Sequence, residues 1–251
     1  MPTGRRPALS IVGSRRCTPY GEDLAYRIAY ELAKLGVIIV SGLAYGIDSC
    51  AHRGCLDADG ITVAVLGTPI NQIYPRRNYS LAQKIAERGT ILSEYEPGSE
   101  TKAWHFLQRN RIVSGLGDAL LIVEASDHSG TLWTAECALR QGKDIYVVPG
   151  DVTRPMSAGC LRLANQGAVL FENMADFVQR FLGSSLSPAS IIKQYSSAAE
   201  HILRLMKQGL MDGEDLAQRA GLSLAEFLAE MTKLELDGIV KNLGANQWVL
   251  C

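Results

Sequence analysis

Short apolar runs alternate with amphipathic stretches along most of the chain, and this alternation restricts the fold to few architectures. Runs such as Thr62–Leu66 and Ala119–Glu124 are apolar on both faces, as strands of a parallel sheet covered on two sides are. Between the runs lie helical patterns such as Glu22–Leu35, followed by Gly36 where a helix C-cap belongs. The pattern predicts a doubly wound, mostly parallel α/β sheet of the Rossmann-like class. The predicted strands are Leu9–Val12, Val37–Val40, Thr62–Leu66, Ile91–Ser93, Ala119–Glu124, Ile145–Val148 and Ala168–Phe171.

A second, smaller domain follows a Ser- and Gly-rich segment. We predict a Rossmann-like domain over 1–182, a linker over 183–196 and a winged-helix domain over 197–251. The last domain contains three helical patterns and then a hairpin with Gly244 to Asn246 near its turn. The predicted helices are Ala198–Lys207, Gly213–Arg219 and Leu224–Leu236.

The third of these helices is acidic, although it is the helix that winged-helix proteins usually place on duplex DNA. From Ser196 to the end, five Lys and Arg residues stand against eight Asp and Glu residues. Docking such a helix against phosphates is repulsive. We therefore favour a protein-contact or structural role for this domain, with weak DNA contact as the alternative.

Composition indicates a globular protein of the cytoplasm. The chain is 47% hydrophobic and 20% charged, and it contains neither a signal-peptide pattern nor an apolar run long enough for a membrane span. The six cysteines are scattered without zinc-ligand spacing, so we expect neither a metal nor a cofactor. The net charge of −1 is uninformative, but the arginines are clustered in pairs such as Arg15–Arg16.

Four segments place Gly, Ser, Thr or Arg where a strand is expected to pass into a helix. These segments are IVGSRR, VSGLAYGID, FLQRNRIVSGL and SGTLWTAE. A helix start presents free N–H groups and a partial positive charge, which suit a phosphate. In doubly wound sheets the strand ends share one edge, so we predict one groove for several phosphates. Neither a dinucleotide nor a nucleoside-triphosphate fingerprint occurs.

The third segment also carries aromatic residues among its cations. Lys102, Trp104 and His105 precede Phe106, and Arg109 and Arg111 follow it. Charge for the backbone and ring faces for unstacked bases are what single-stranded nucleic acid requires. The alternative is that the rings are core residues and that one of the arginines is structural, because an apolar run from Ile112 begins a buried helix.

Asp48 and His52 lie four residues apart on a predicted helix, which permits an acid–base role. We favour the simpler interpretation that Asp48 braces its loop while His52 packs beside it.

Taken in order, these segments resemble the DNA-processing protein DprA (Smf) family from Leu9 to about Phe171. The resemblance rests on IVGSRR, VSGLAYGIDSCAH, VAVLG, IYPRRN, LSEY, FLQRNRIVSGL, SGTLWTAECAL and VVPG. It implies a non-catalytic protein that binds single-stranded DNA and loads the recombinase RecA onto it in natural transformation, working as a homodimer. Nothing in it implies a membrane partner.

Carried over residue by residue, the resemblance places phosphate contacts on Arg15 and Arg16 and the base-contacting ring on Phe106. With the residues argued from the segments themselves, the candidates for nucleic-acid contact are Gly13, Ser14, Arg15, Arg16, Ser41, Gly42, Lys102, Phe106, Arg109, Asn110, Arg111, Ser129, Gly130 and Thr131. The cation before Phe106 is best matched by Lys102, although Ala103 competes for that register.

The sequence departs from the family pattern at several positions. Leu107 replaces a proline, Tyr45 stands where arginine is common, and Ser157–Cys160 replaces a frequent G-[ST]-N. An alternative function is nucleotide cleavage by a phosphoribohydrolase-type enzyme, because SGTLWTAE, with Glu136, resembles the Gly-rich turn of those enzymes. The paired glycines that precede that turn in such enzymes are absent here.

Overall fold

The computed structural model describes residues 6–183, 196–236, 239–244 and 246–250. The chain divides into two compact units, Met1–Pro188 and Ala189–Cys251. Nearly all of the predicted linker over 183–196 lies outside the described residues, so its conformation stays a prediction.

The first unit is built on a seven-stranded sheet with the order β4-β3-β2-β1-β5-β6-β7, in which every pairing is parallel. All seven predicted strands are present, with ends that differ from the prediction by at most two residues. This confirms the predicted Rossmann-like class. The strands are β1 Ala8–Val12, β2 Ile38–Ser41, β3 Thr62–Leu66, β4 Thr90–Ser93, β5 Ala119–Ile122, β6 Asp144–Val147 and β7 Val169–Leu170.

Helices follow the strands in the expected alternation. Helix α1 begins at Pro19, directly after its N-cap Thr18. Gly36 follows α1 with a φ of 79°, the left-handed conformation that glycine adopts without strain. The helices of this unit are α1 Pro19–Lys34, α2 Ile47–Asp57, α3 Tyr79–Arg88, α4 Ala103–Leu116, α5 Gly130–Arg140, α6 Ala158–Asn165 and α7 Met174–Leu182.

The placement predicted for the third segment is wrong. This segment does not start a helix after a strand, because α4 already begins at Ala103 and Phe106 to Leu116 forms its body. The helix also starts well before Ile112. In the sequence, only the apolar run from Ile112 shows a helical pattern. In the first turns of α4, buried polar residues such as His105 and Arg109 lie among exposed ones, so no apolar periodicity marks the start of the helix.

The core lies on both faces of the central strands. All five residues of β1 are buried, and Leu9 and Ile11 are completely inaccessible. Each fully buried side chain of this size contributes roughly 1.5–3 kcal/mol through the hydrophobic effect. The strands therefore form a rigid platform for the loops at their ends.

The sheet reverses its direction of growth between β1 and β5. From β1 the chain proceeds towards β2, whereas from β5 it proceeds in the opposite direction towards β6. Because parallel crossovers are right-handed, α1 and α5 are placed on opposite faces of the sheet. α1 packs against α2, and α4 packs against α5. The loops after β1 and β5 diverge, and a crevice opens between them at the carboxyl edge.

The described residues of the second unit form three helices and a hairpin, which confirms the predicted winged helix. Its elements are α8 Ser197–Lys207, α9 Gly213–Ala220, α10 Leu224–Leu236, β8 Val240–Gly244 and β9 Gln247–Leu250. Asp212 caps α9 by accepting from the N–H groups of Glu214 and Asp215. The core of this unit includes Ile202, Leu216, Phe227 and Trp248, all buried.

Candidate nucleic-acid interface

A cleft of about 810 Å³ lies at the carboxyl edge of the sheet, at the reversal point between β1 and β5. All but three of the residues predicted to contact nucleic acid line it. The predicted residues brought together there are Gly13, Ser14, Arg15, Arg16, Gly42, Phe106, Arg109, Asn110, Ser129, Gly130 and Thr131. Ser41, Lys102 and Arg111 are not among its lining residues.

The loop after β1 presents two arginines to the solvent at the mouth of the cleft. The Ser14 N–H donates to the carbonyl oxygen of Glu124 over 2.8 Å, and the Arg16 N–H donates to Ser14 Oγ over 3.0 Å. The side chains of Arg15 and Arg16 are exposed. The backbone of this loop is therefore fixed by hydrogen bonds, while both guanidinium groups remain accessible to an anion.

The position of Gly13 accepts no side chain, because an added Cβ would lie 2.6 Å from Ile47. Glycine here allows the loop after β1 to lie directly against the start of α2. Glycine permits this close contact because it carries no Cβ.

The third cleft arginine, Arg109, is buried with 3% of its surface exposed. Its guanidinium donates to the carbonyl oxygens of Gly42 and Val65. An added Cβ at Gly42 would lie within 2.7 Å of three guanidinium atoms. Arg109 therefore fastens α4 to the ends of β2 and β3, and we assign it a structural role in the cleft wall in place of the predicted DNA contact.

Asp48 braces the loop after β2, as the simpler interpretation of the sequence predicted. Its carboxylate accepts from the N–H groups of Gly42 over 3.2 Å and of Ala44 over 3.3 Å. Burial raises the pKa of Asp48, and the nearby guanidinium of Arg109 opposes that shift. Burial also lowers the pKa of Arg109, to about 10, so the arginine is cationic at neutral pH.

Two further side chains of this region belong to the core. The hydroxyl of Ser41 is inaccessible and donates to the carbonyl oxygen of Ile11 over 2.6 Å, so the prediction that Ser41 contacts nucleic acid is wrong. His52 lies 2.7 Å from the Thr62 hydroxyl, and burial lowers its pKa to about 3. A neutral histidine away from the cleft does not serve as an acid or a base there.

Aromatic rings form one wall of the cleft. The ring of Phe106 packs against Gly67, where an added Cβ would lie 2.7 Å from the ring. The Tyr74 ring lies 5.2 Å from the Phe106 ring, and the Arg15 guanidinium lies over Phe106 at 5.6 Å. Tyr74 is half exposed. This arrangement places ring surface beside a free cation.

The remaining cations of the third segment do not line the cleft. Arg111 forms an ion pair with Glu94. Lys102 is the N-cap residue of α4 and is exposed, whereas its neighbour Ala103 lines the cleft. The contacts predicted for Lys102 and Arg111 stay predictions.

The start of α5 also lines the cleft. Ser129 caps the helix by accepting from the Thr131 N–H over 3.1 Å, and its hydroxyl lies 2.9 Å from that of Thr131. The Asn110 side chain reaches across to the carbonyl oxygen of Gly130 at 3.5 Å. A phosphate at this helix start would meet the same hydroxyls and the positive end of the helix dipole.

Sequence reasoning missed several cleft residues. Tyr74 carried a signal, because it lies beside Arg76 and Arg77 in an aromatic and basic run. Met156 carried none: its sulfur accepts from the Ser14 hydroxyl over 3.4 Å, although the two residues are far apart in sequence. Only the folded chain brings the loop after β6 to the cleft.

Within the described ranges, no helix combines the length and the apolar character that crossing a bilayer requires. The same residues contain no group of three or more His, Cys, Asp or Glu side chains arranged to hold a metal ion.

The family model described as DNA recombination-mediator protein A matches residues 1–182. The chain belongs to this family. A second model, the DprA winged helix domain, matches residues 187–246. The two family models therefore match most of both units.

Individual relatives agree with this assignment. A DNA processing protein DprA of Mycobacterium tuberculosis is 36% identical over 241 residues, covering 93% of this chain and 62% of the relative. Protein Smf of Escherichia coli is also 36% identical, covering 92% of this chain and 64% of its own length. The chain thus spans less than two thirds of the length of these relatives.

A solved structure of DNA processing protein A from Helicobacter pylori, which concerns its single-stranded DNA binding mode, is 35% identical with a TM-score of 0.66. The match covers 70% of this chain and 80% of that one. That relative binds single-stranded DNA.

Proposed function

We propose that the protein binds single-stranded DNA in the cleft and acts as a recombination mediator that loads RecA recombinase onto incoming strands in natural transformation. In this proposal it acts in the cytoplasm as a homodimer and uses neither a cofactor nor a catalytic step. Membership of the family supports the role in DNA processing, and the H. pylori relative supports the choice of single-stranded DNA.

One observation carries the DNA-binding part of the proposal. Arg15 lies over the Phe106 ring, and both residues line the same cleft as the hydroxyl-rich start of α5. A cation and a ring face side by side bind the backbone and an unstacked base of the same strand. A duplex keeps its bases stacked inside and offers only its phosphates to such a surface.

The charge of the cleft favours a polyanion. Among the described residues, the charged groups that line it are three arginines and one aspartate, namely Arg15, Arg16, Arg109 and Asp48. The opposite charges of the buried Asp48 and Arg109 offset each other in the cleft wall. The exposed Arg15 and Arg16 therefore determine the charge that a ligand meets. Binding of this kind tolerates sequence variation and weakens with salt.

The glutamate on which the enzymatic alternative depends lies outside the cleft. Glu136 forms an ion pair with Arg140 on the exposed surface of α5, and it does not line the cleft. The buried Asp48 holds two backbone N–H groups. These placements favour binding over base removal from a nucleotide.

The DNA-binding proposal is tested by titrating labelled oligo-dT and a duplex of equal length at two salt concentrations. We expect tighter binding of oligo-dT and a linear decrease of log affinity with log salt. Equal affinities for both ligands would contradict the proposal. Loading is tested separately, by measuring RecA filament formation on single-stranded DNA with and without the protein.

A further inference from the structure

Glu124 is a buried acid just outside the cleft, at the end of the chain segment that continues β5. It is 7% exposed, and among the described residues no lysine or arginine forms an ion pair with it. Glutamates are rarely buried without a cationic partner, because desolvation of the carboxylate is costly. The contacts of this side chain must therefore offset that cost.

Both ends of the arginine loop are attached to this one residue. At the start of the loop, the Ser14 N–H donates to the Glu124 carbonyl oxygen over 2.8 Å. At the end of the loop, the Thr18 N–H donates to Oε2 over 2.8 Å and the Thr18 hydroxyl donates to Oε1 over 2.6 Å. Arg15 and Arg16 lie between these two attachment points.

The carboxylate also meets the start of α1. Thr18 is the N-cap of this helix, and its Oγ1 accepts from the Gly21 N–H over 3.2 Å. The positive end of the helix dipole stabilises the negative charge at this place. Gly21 leaves the space that the carboxylate needs, because an added Cβ would lie 2.6 Å from its Cδ and Oε2.

We propose that Glu124 is a positioning residue for DNA binding: it fixes both ends of the Ser14–Thr18 loop and thereby aims Arg15 and Arg16 at the strand. Glu124 does not line the cleft, so it acts through the loop and not by contact with DNA. This inference rests on the proposed binding of single-stranded DNA and extends it to a residue that no sequence segment indicated.

Two substitutions with the same change in charge separate positioning from electrostatics. Removing a negative charge near a phosphate site tightens polyanion binding if charge alone matters. Glu124→Ala removes both attachments at Thr18, and we expect it to weaken oligo-dT binding by roughly tenfold, with a salt slope flatter by about 0.7 for each phosphate that no longer meets a cation. In Glu124→Gln the amide can keep both contacts with Thr18, because its oxygen can accept from the Thr18 N–H and its NH2 can donate to the Thr18 hydroxyl. We expect this variant to bind as tightly as the wild type or more tightly.

A third variant changes the geometry without changing the charge. Gly21→Ala keeps the carboxylate but pushes it out of the space that it occupies. Alanine favours a helix more than glycine does, so propensity alone predicts a more stable protein. We expect Gly21→Ala to weaken oligo-dT binding and flatten the salt slope, as Glu124→Ala does.

Two controls complete the experiment on the full chain. Ser10→Ala removes a buried hydrogen bond, from the Ser10 hydroxyl to the Val113 carbonyl oxygen, without touching the loop, and should leave affinity unchanged. In an Arg15→Ala/Arg16→Ala background, Glu124→Ala should have little further effect, because the side chains that it positions are gone. Circular dichroism melts confirm that each variant is folded under the titration conditions.

The outcomes are distinguishable. If the wild type does not bind oligo-dT, the proposed function fails. If the wild type binds and Glu124→Ala and Glu124→Gln have the same affinity for oligo-dT, the positioning role is overturned. The hydrogen bonds that only the glutamine keeps would then have no effect on binding. The role is equally overturned if Glu124→Ala weakens binding by the same factor with and without the two arginines. Should Glu124→Ala not fold, Gly21→Ala decides: unchanged affinity and salt slope would overturn the role.

Discussion

The cleft of the first unit and helix α10 of the second belong to folds that often bind nucleic acid, yet they carry opposite charge. The cleft exposes Arg15 and Arg16 beside aromatic rings. The helix carries Glu226, Glu230 and Glu235, and its Lys233 is paired with Glu230. The fold therefore provides a surface in both cases, but the side chains decide whether a polyanion can approach it.

The comparison is most strongly tested by reversing the charge of the cleft. We expect Arg15→Glu with Arg16→Glu to lower oligo-dT affinity by roughly two to three orders of magnitude at low salt, because two phosphate contacts become repulsive. Fluorescence anisotropy titrations measure the effect, and thermal unfolding should be unchanged because both side chains are exposed. Unchanged affinity would show that the strand does not follow this loop.

The buried arginine should behave differently from the exposed pair. Arg109→Ala leaves two carbonyl oxygens without their donor, so we expect the free energy of unfolding to fall by about 2–4 kcal/mol. Denaturant titration measures this decrease. Arg109→Lys keeps the charge but cannot reproduce the guanidinium contacts, so it should restore only part of the stability. Full stability with loss of DNA binding would instead make Arg109 a ligand contact.

The aromatic wall makes a smaller contribution. Phe106→Ala removes a stacking surface worth about 1–3 kcal/mol for one base, so we expect affinity to decrease by roughly tenfold. The salt slope should stay the same, since the variant keeps every cation that meets a phosphate. The matched control is Trp104→Ala, because Trp104 is an exposed ring on the same helix that does not line the cleft. An equal decrease in the two variants would contradict the assignment of Phe106.

The smallest change in DNA affinity is expected for a substitution on the acidic helix α10. Lys233→Ala on α10 should change the affinity for either single- or double-stranded DNA by less than about twofold, because the surrounding glutamates already repel phosphates. The titrations used for the cleft variants measure this change. A large loss of duplex binding would show that the winged helix contacts DNA and would remove the contrast between the two regions.

Most of the sheet could be predicted because β1, β3 and β5 are short apolar runs separated by helical patterns. The start of α4 at Ala103 could not, since its first turns alternate between the sheet edge and solvent and show no regular periodicity. Within the site, Arg15 and Arg16 were predictable because the loop follows directly after a strand.

Arg109 illustrates what sequence alone left open. An arginine between Gln108 and Asn110 is equally compatible with a phosphate contact and with a buried anchor. Its role is decided by carbonyl oxygens of Gly42 and Val65, which are distant in sequence. Met156 and Glu124 were missed for the same reason, because their partners lie on loops that meet only at the edge of the folded sheet.

The attachment of α4 to the strand ends has a kinetic consequence. Since Arg109 and the ring of Phe106 occupy the spaces above Gly42 and Gly67, the helix cannot slide along the sheet, and the width of the groove is set when the chain folds. We therefore expect capture of a DNA strand to require no movement of α4, so that its observed rate increases linearly with DNA concentration, with a slope no greater than the encounter rate constant.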